Sequence, residues 1–239
     1  MNVVAVIQAR MGSSRLPGKV MISLNCLPII QHVIRRTSAS DVDDVVVATS
    51  NNSRDDIVAR HARREEVKVY RGEETDVLGR VFESATVNEA DLIVRITADN
   101  PLLSPEVLDV AIQLAREDQV DYVSNKIERT FPAGLDVEVF TYESFKRVNK
   151  EAKTPHEREH VTPYYRSSDS FTTSNVSSDQ VFDERYMQNR TDLRFTLDTP
   201  DDFQLFEEVY ANVDYDGLLD ITDAVTYVDN TELGEHNMD

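Results

Sequence analysis

Residues 2–19 read NVVAVIQARMGSSRLPGK, a β-branched apolar run that breaks into a segment rich in Gly, Ser and Arg. The apolar part, Asn2–Ala9, is nearly continuous rather than alternating, which is the pattern of a strand buried on both faces of a parallel sheet. Two further runs of the same kind follow at Asp44–Thr49 (DVVVAT) and Leu92–Thr97 (LIVRIT), with a shorter one at Val67–Tyr70. Helical patterns lie between them. Ser53–Arg64 opens on a capping-type Ser53 with Asp56 three residues on, and Val77–Glu89 is amphipathic. Pro105–Asp118 is announced by Ser104 as cap with Pro at the first helical position. The order β-α-β-α-β-α-β-α predicts an α/β fold with a doubly wound, mostly parallel sheet.

Beyond about Asp121 the rhythm changes. Strands are expected at Asp136–Phe140, Ser170–Val176 and Arg194–Leu197, and helices at Thr141–Lys150, Glu159–Arg166 and from Thr199-Pro200 to about Tyr210. With no repeat and no Gly/Ser linker, 1–229 reads as one domain carrying an inserted α+β subregion near 125–190. Residues 230–239 read as a polar tail.

The formal charge is −19, from 44 acids against 25 bases. Such a surface repels nucleic acid, whose phosphates need Lys and Arg, and matches the solvating acidic shell of proteins in high internal salt. No run reaches the roughly 18–20 apolar residues of a membrane span, and the start has no basic region before its apolar stretch. Cys26, the single cysteine, excludes an internal disulfide and a cysteine zinc cluster; it sits in an apolar stretch and is expected in the core. Cytoplasmic residence is the expectation. Residues 1–40 contain no acid, yet carry Arg10, Arg15, Lys19, Arg35 and Arg36. A basic island in an acidic chain suggests an anion site.

That island includes the segment after the first strand, where open α/β sheets bind ligands. Gly12 and Gly18 permit close approach, Ser13 and Ser14 offer donors, and Arg10, Arg15 and Lys19 bring positive charge suited to a triphosphate. It is not a Walker A loop, since five residues separate Gly12 from Gly18-Lys19 and Val20 stands where Ser or Thr would bind magnesium. As an exposed loop lysine, Lys19 is expected to add little to stability.

IQARMGSSRLPGK resembles the signature of the sugar cytidylyltransferases, the superfamily of CMP-KDO and CMP-sialic acid synthetases. Most similar is the branch named after a spore-coat polysaccharide biosynthesis protein. GEETDVLGR (72–80), RITADNPLLSPEVLD (95–109), GLDVEVF (134–140), REHVTPYYR (158–166) and RFTLDTPDDF (194–203) follow in family order. The resemblance implies a three-layer α/β/α sheet, an NTP (CTP) and a sugar or sugar phosphate as partners, Mg²⁺ as cofactor, and a homodimer. It implies Arg15 and Lys19 as catalytic groups, with Ala9, Arg10, Gly12, Ser13, Ser14, Arg71 and Thr97 at the nucleotide. Asp99 and Asp198, each after a strand, would be the metal ligands, hard oxygens of the kind Mg²⁺ takes. For Asp198 a helix-terminal carboxylate is the other reading, and for Arg71 a local ion pair.

The family's sugar pocket would fall at Asp136, Glu138, Arg158 and His160. Asp136 and Glu138 alternate with Leu135, Val137 and Val139 and so share one strand face, where two carboxylates repel unless they bind hydroxyls or a cation; a solvated face is the alternative. Arg95, inside an apolar strand, demands a partner if buried, and Asp76 is the candidate. The His156-Glu-Arg-Glu-His160 spacing has no metalloprotease context. The chemistry expected is in-line attack of the sugar on the α-phosphorus with loss of pyrophosphate. Pyrophosphate release separates it from a nucleotide-sugar-dependent glycosyltransferase, whose metal usually sits on a DxD pair absent from TADNP, and from a non-catalytic nucleotide-binding protein.

Overall fold

The computed structural model describes residues 1–231 and 233, so all of the tail expected over 230–239 except Asn230, Thr231 and Leu233 lies outside the described residues. The strands are β1 (Val3–Gln8), β2 (Ser23–Leu24), β3 (Leu27–Pro28), β4 (Asp44–Ser50), β5 (Lys68–Gly72), β6 (Leu92–Thr97), β7 (Tyr122–Ser124), β8 (Glu138–Thr141) and β9 (Thr173–Asn175). All but the β2–β3 hairpin join one sheet in the spatial order β5-β4-β1-β6-β8-β7-β9. β5, β4, β1 and β6 are parallel, and β8 runs antiparallel to both β6 and β7. The chain winds from β1 outward through β4 to β5, then returns to place β6 on the other side of β1. That reversal makes a topological switch point, and the crevice outside the carboxyl ends of β1 and β6 is where such sheets hold ligands.

The helices are α1 (Ile29–Ser38), α2 (Asp56–Arg64), α3 (Val77–Val87), α4 (Pro105–Asp118), α5 (Tyr142–Glu151), α6 (Pro155–His160), α7 (Pro163–Ser167), α8 (Pro200–Asn212) and α9 (Ile221–Asp229). The two-residue period of a strand assigns them to two layers. Val3, Ala5 and Ile7 of β1 pack with apolar residues of α1, α2, α4, α8 and α9, whereas Val4 and Val6 pack with those of α3, α5 and α7. Val3 to Ile7 are all fully buried, as their unbroken apolar run requires. No described helix is long and apolar enough to cross a membrane.

Three expected elements differ. Arg194–Leu197 is not a strand: it makes a single bridge, Ala133 to Arg194, where Gly134 at φ 102° brings two backbones together. A Cβ on Gly134 would sit 2.2 Å from the Phe195 carbonyl oxygen. The helix expected over Glu159–Arg166 is two short helices broken at Val161, whose φ is 69°. Pro163 explains the break, because its ring would clash with the carbonyl four residues back and it has no N–H to donate. The cap of the 53–64 segment is Asn52, which accepts from the Arg54 amide at 3.1 Å and opens a 3₁₀ turn ahead of α2. Cys26 is exposed at the tip of the β2–β3 hairpin, not in the core. α1 and β7 carried no strong terminal signal, and α1 begins after Pro28 with no side-chain cap and no acidic first turn; α9 was not expected, although Asp220 caps it by accepting the Thr222 amide at 2.8 Å, with Asp223 in its first turn.

The region expected as an insertion is woven into the sheet. β8 pairs with β6 through Arg95↔Glu138, and β7 and β9 extend the same edge.

Candidate active site

The segment after β1 is folded by its own backbone. Met11 accepts from the amides of Ser13 at 3.1 Å and Gly18 at 3.0 Å, so the loop closes on itself. Asp55, fully buried, accepts the Met11 amide at 2.7 Å and is held by the Ser50 hydroxyl. Gly18 takes φ 73°, a left-handed conformation that costs glycine little, and releases the chain into the turn beginning at Lys19. The loop borders a cavity of about 630 Å³ whose walls include Ala9, Arg10, Gly12, Ser13, Ser14 and Arg15. Lys19, Thr97, Asp99 and Asp198 border it as well.

Lys19 is the hub. Its ammonium donates to Asp99 Oδ2 at 2.6 Å, Asp198 Oδ1 at 2.8 Å and the Leu197 carbonyl at 2.8 Å. Only 11% of its side chain is exposed, so it is not the solvent lysine expected from its loop position. The two carboxylates come from loops far apart in sequence, Asp99 after β6 and Asp198 ahead of α8, and a backbone bond from the Leu197 amide to the Asp99 carbonyl, at 2.9 Å, ties those loops together. Asp198 also meets Arg194 at 2.6 Å and Arg15 at 2.9 Å. Burial works to raise the Asp198 carboxyl, but the Lys19 hydrogen bond and charge, with Arg194 and Arg15, hold it below the usual carboxylate range. Helix capping at α8 is done by others: Thr199 accepts from the Asp202 amide, and Asp202 accepts from the amides of Asp198 and Thr199. The Asp198 carboxylate therefore faces Lys19, not the helix.

Among the described residues no cluster of three or more His, Cys, Asp or Glu side chains could hold a metal. Two carboxylates converging on one cationic point still suit a Mg²⁺-type ion, which takes one or two carboxylates and fills its remaining positions with phosphate oxygens and water. The donor set fits such an ion bound together with a triphosphate.

Several expected site residues are used elsewhere. Arg71 donates to the Ser50 and Asn52 carbonyls, both at 2.8 Å, and pairs with Asp56 at 2.6 Å, so it clamps the turn after β4 and does not border the cavity. Arg158 is taken by Asp76 at 2.5 Å and by Asn149 at 2.9 Å. Asp76 is thus not the partner of Arg95; it caps α3 and anchors α6. Glu138 is that partner, because β8 lies beside β6 in a register that sequence periodicity does not reveal. Glu138 is buried and accepts the Tyr122 hydroxyl at 3.0 Å on its other oxygen. Burial alone would raise its carboxyl, but the charges of Arg95 and Lys126 and the Tyr122 bond hold it low. Asp136 lies before β8 and pairs with Lys126 at 3.1 Å and Arg129 at 3.0 Å. Neither carboxylate borders either cavity, so the sugar-binding pair expected there is not formed, and the burial of Glu138 rules out a shared solvated face as well.

His160 does border it, together with a neighbouring cavity of about 550 Å³. That second cavity is bounded by Lys126, His156, His160 and Arg166, with no acid in its walls, although the chain as a whole is strongly acidic. Arg95, Thr97, Lys126 and His160 border both cavities. Sequence reading missed Lys126, which nothing local marks, and also His156 and Arg166, although His156 opens the HEREH segment and Arg166 ends REHVTPYYR; Arg80, another wall residue, stood in the GEETDVLGR motif. Of the basic island, Arg10, Arg15 and Lys19 serve the cavity. Arg36 is buried elsewhere, donating to the Leu103 and Leu219 carbonyls, and Arg35 is exposed on α1.

A family model described as Cytidylyltransferase matches residues 4–221. The chain is 35% identical over 237 residues to an uncharacterized protein of Methanocaldococcus jannaschii, covering 96% of this chain and 94% of that one. It is 32% identical over 216 residues to the spore coat polysaccharide biosynthesis protein SpsF of Bacillus subtilis, covering 87% and 86%. A 3-deoxy-manno-octulosonate cytidylyltransferase of Pelobacter propionicus is 37% identical over 119 residues, 49% of this chain and 46% of its own length. Among solved structures, a cytidylyltransferase from Leptospira borgpetersenii superposes with a TM-score of 0.87 at 28% identity, covering 96% and 94%. A CMP:2-keto-3-deoxy-manno-octonic acid synthetase complexed with CTP shares the fold, with a TM-score of 0.65 at 18% identity over 88% and 99%. So does Rv0371C of Mycobacterium tuberculosis in complex with manganese, with a TM-score of 0.59 at 13% identity over 87% and 99%.

Proposed function

This chain belongs to the cytidylyltransferase family, and from that premise we propose that it transfers the cytidylyl group of CTP to an anionic sugar, a sugar acid or sugar phosphate, releasing pyrophosphate. The observation that carries the reading is the convergence of Asp99 and Asp198 on Lys19 at the mouth of the loop after β1. An acceptor oxygen attacks the α-phosphorus, and the bond from that phosphorus to the oxygen bridging the β-phosphate breaks. Pyrophosphate leaves with the electron pair, and a hydroxyl acceptor gives up its proton to water or a nearby base.

Such a displacement needs positioning and charge neutralisation more than covalent help from the protein. Arg10, Arg15, Lys19, the amides of Gly12 and Ser14 and the hydroxyls of Ser13 and Ser14 hold the β- and γ-phosphates, and Arg15 and Lys19 take up the charge of the leaving group. Ala9 and Thr97 bound the nucleoside side of the cavity. Asp99 and Asp198 would hold Mg²⁺, which when bound neutralises charge on the phosphates of the reacting centre. The cationic second cavity, beside the first, suits an acceptor that carries a carboxylate or phosphate; the homologous sugar-acid cytidylyltransferase half supports that choice. The reading carries with it a cytoplasmic homodimer, to be checked by sedimentation.

The test is pyrophosphate release with each of four NTPs against sugar acids, sugar phosphates and neutral sugars, with Mg²⁺ and with EDTA. Release with CTP and an anionic sugar, abolished by EDTA and restored by Mg²⁺, is expected. Turnover of a nucleotide sugar without pyrophosphate would instead identify a glycosyltransferase.

A further inference from the structure

Arg95 is the side chain that the established features of the site leave unexplained. It stands mid-strand in β6 among Leu92, Ile93, Val94 and Ile96, all buried, and is itself only 8% exposed. A buried ion pair costs desolvation on both partners and is often no more stable than the apolar pair that would fit the space. Here the arginine is also elaborately held. Its Nε donates to Gln8 Oε1 at 2.9 Å, its Nη1 donates to Glu138, and Glu138 is fixed from behind by the Tyr122 hydroxyl at 3.0 Å. The third nitrogen, Nη2, has no hydrogen-bond partner among the described residues and is not buried. It therefore opens where Arg95 borders both cavities.

Position along the strand separates this arginine from the metal-binding end. Arg95 and Thr97 are one two-residue strand step apart, about 6.5–7 Å, and Asp99 follows in the turn after β6, so Arg95 lies deeper in the sheet, beside β8 and toward the second cavity. Lys19 and the phosphate loop lie at the other end of that row.

We infer that Arg95 is an acceptor-specificity residue whose Nη2 binds the anionic group of the sugar, and that Glu138 and Tyr122 are positioning residues that aim it. This rests on the reading of the chain as a cytidylyltransferase acting on an anionic sugar. A guanidinium with Nε and Nη1 already committed presents one directed donor in one place. An ammonium on a flexible stem does not reproduce that geometry. Glu138 thus serves the site from beneath it.

The test measures the acceptor KM by pyrophosphate release, and separately the Kd for CTP and for each acceptor by calorimetry. The acceptors are 3-deoxy-manno-octulosonate, N-acetylneuraminate and glucose 1-phosphate, with the methyl esters of the two acids and glucose as neutral controls. Arg95→Lys should raise the KM of the anionic acceptor about 10- to 100-fold, the loss of one charged hydrogen bond, with CTP affinity within about twofold. Glu138→Gln should raise it several-fold and Tyr122→Phe less, with kcat changing little. Because Arg95→Met alone would strand a buried carboxylate and endanger the fold, the paired Arg95→Met/Glu138→Met variant leaves no buried charge and should show the full loss. The acid and phosphate arms tell which anion Arg95 serves. An unchanged acceptor KM in both Arg95→Lys and the paired variant would overturn the inference, as would CTP affinity falling in parallel or esters serving as well as acids. If no NTP yields pyrophosphate, the function fails; calorimetry still decides this inference, which needs an anionic acceptor to bind the wild type and to bind Arg95→Lys more weakly. Binding of none of the three to the wild type would overturn it.

Discussion

Replacing Lys19 by Met removes the ammonium that joins the two carboxylates and leaves the loop backbone alone. Three hydrogen bonds disappear, to Asp99, Asp198 and the Leu197 carbonyl. Removing one partner of a buried ion pair costs about 3–5 kcal/mol. Asp198 keeps Arg15 and Arg194, and Asp99 is 22% exposed, so water repays part of the loss. We expect about 2–3 kcal/mol, within the range for hydrogen bonds to charged groups. At about 2–4 °C per kcal/mol for a domain of this size, that is a fall in Tm of about 4–12 °C. The same change frees both carboxylates for a cation, so millimolar Mg²⁺ without nucleotide should restore much of the lost Tm in the variant while barely moving the wild type. Pyrophosphate release should fall about 10²- to 10³-fold, the usual cost of one lost donor to developing charge. The assay is thermal unfolding with EDTA and across a Mg²⁺ titration, wild type beside variant. An unchanged Tm, or an equal Mg²⁺ response in the two proteins, would refute the bridge.

Gly134→Ala should cost about 3 kcal/mol or more, because strain at positive φ adds to a backbone contact that must shift; a change under about 0.5 kcal/mol in urea unfolding would show the Ala133–Arg194 bridge to be soft. Burial favours a raised Asp76 carboxyl, but its bonds to Arg158 and the Gly79 amide hold it below the ordinary value. A lowered folded pKa stabilises above the unfolded value and loses that contribution as pH falls through the folded one. The stability gap between wild type and Asp76→Asn should therefore be widest near neutrality and close below about pH 4; a gap that is flat with pH would contradict the pair. Raising KCl from 0.1 to 1 M shortens the screening length from about 10 to about 3 Å and should raise Tm in a chain of net charge −19, whose acids repel one another; a falling Tm would argue against an acidic shell built for salt.

The parallel strands and the Gly- and Arg-rich loop after β1 were legible in the sequence because each is a local signal, whereas Asp198 was reached by resemblance, the strand expected before it being absent. Burial on both faces writes an unbroken apolar run at Val3–Ile7, and a loop that binds anions at a strand end must carry its own glycines and cations. Ser104 before Pro105 likewise marked α4 without any tertiary knowledge. What the sequence alone left open was pairing between distant segments. Arg95 was legible as needing a partner, but the partner depends on β8 inserting antiparallel beside β6, a long-range register with no local trace. The same insertion turned Glu138 inward, so its alternation with Val137 and Val139 meant burial instead of a shared solvent face. Arg71 and Arg158 were drawn into ion pairs with Asp56 and Asp76, and Lys19 changed from a surface lysine into the bridge between Asp99 and Asp198. Residue type and spacing set which side chains can carry charge to a site. Which of them is left unpaired once the chain packs is a property of the whole, because every buried charge must find a counter-charge or hydrogen-bond partners wherever the fold brings them.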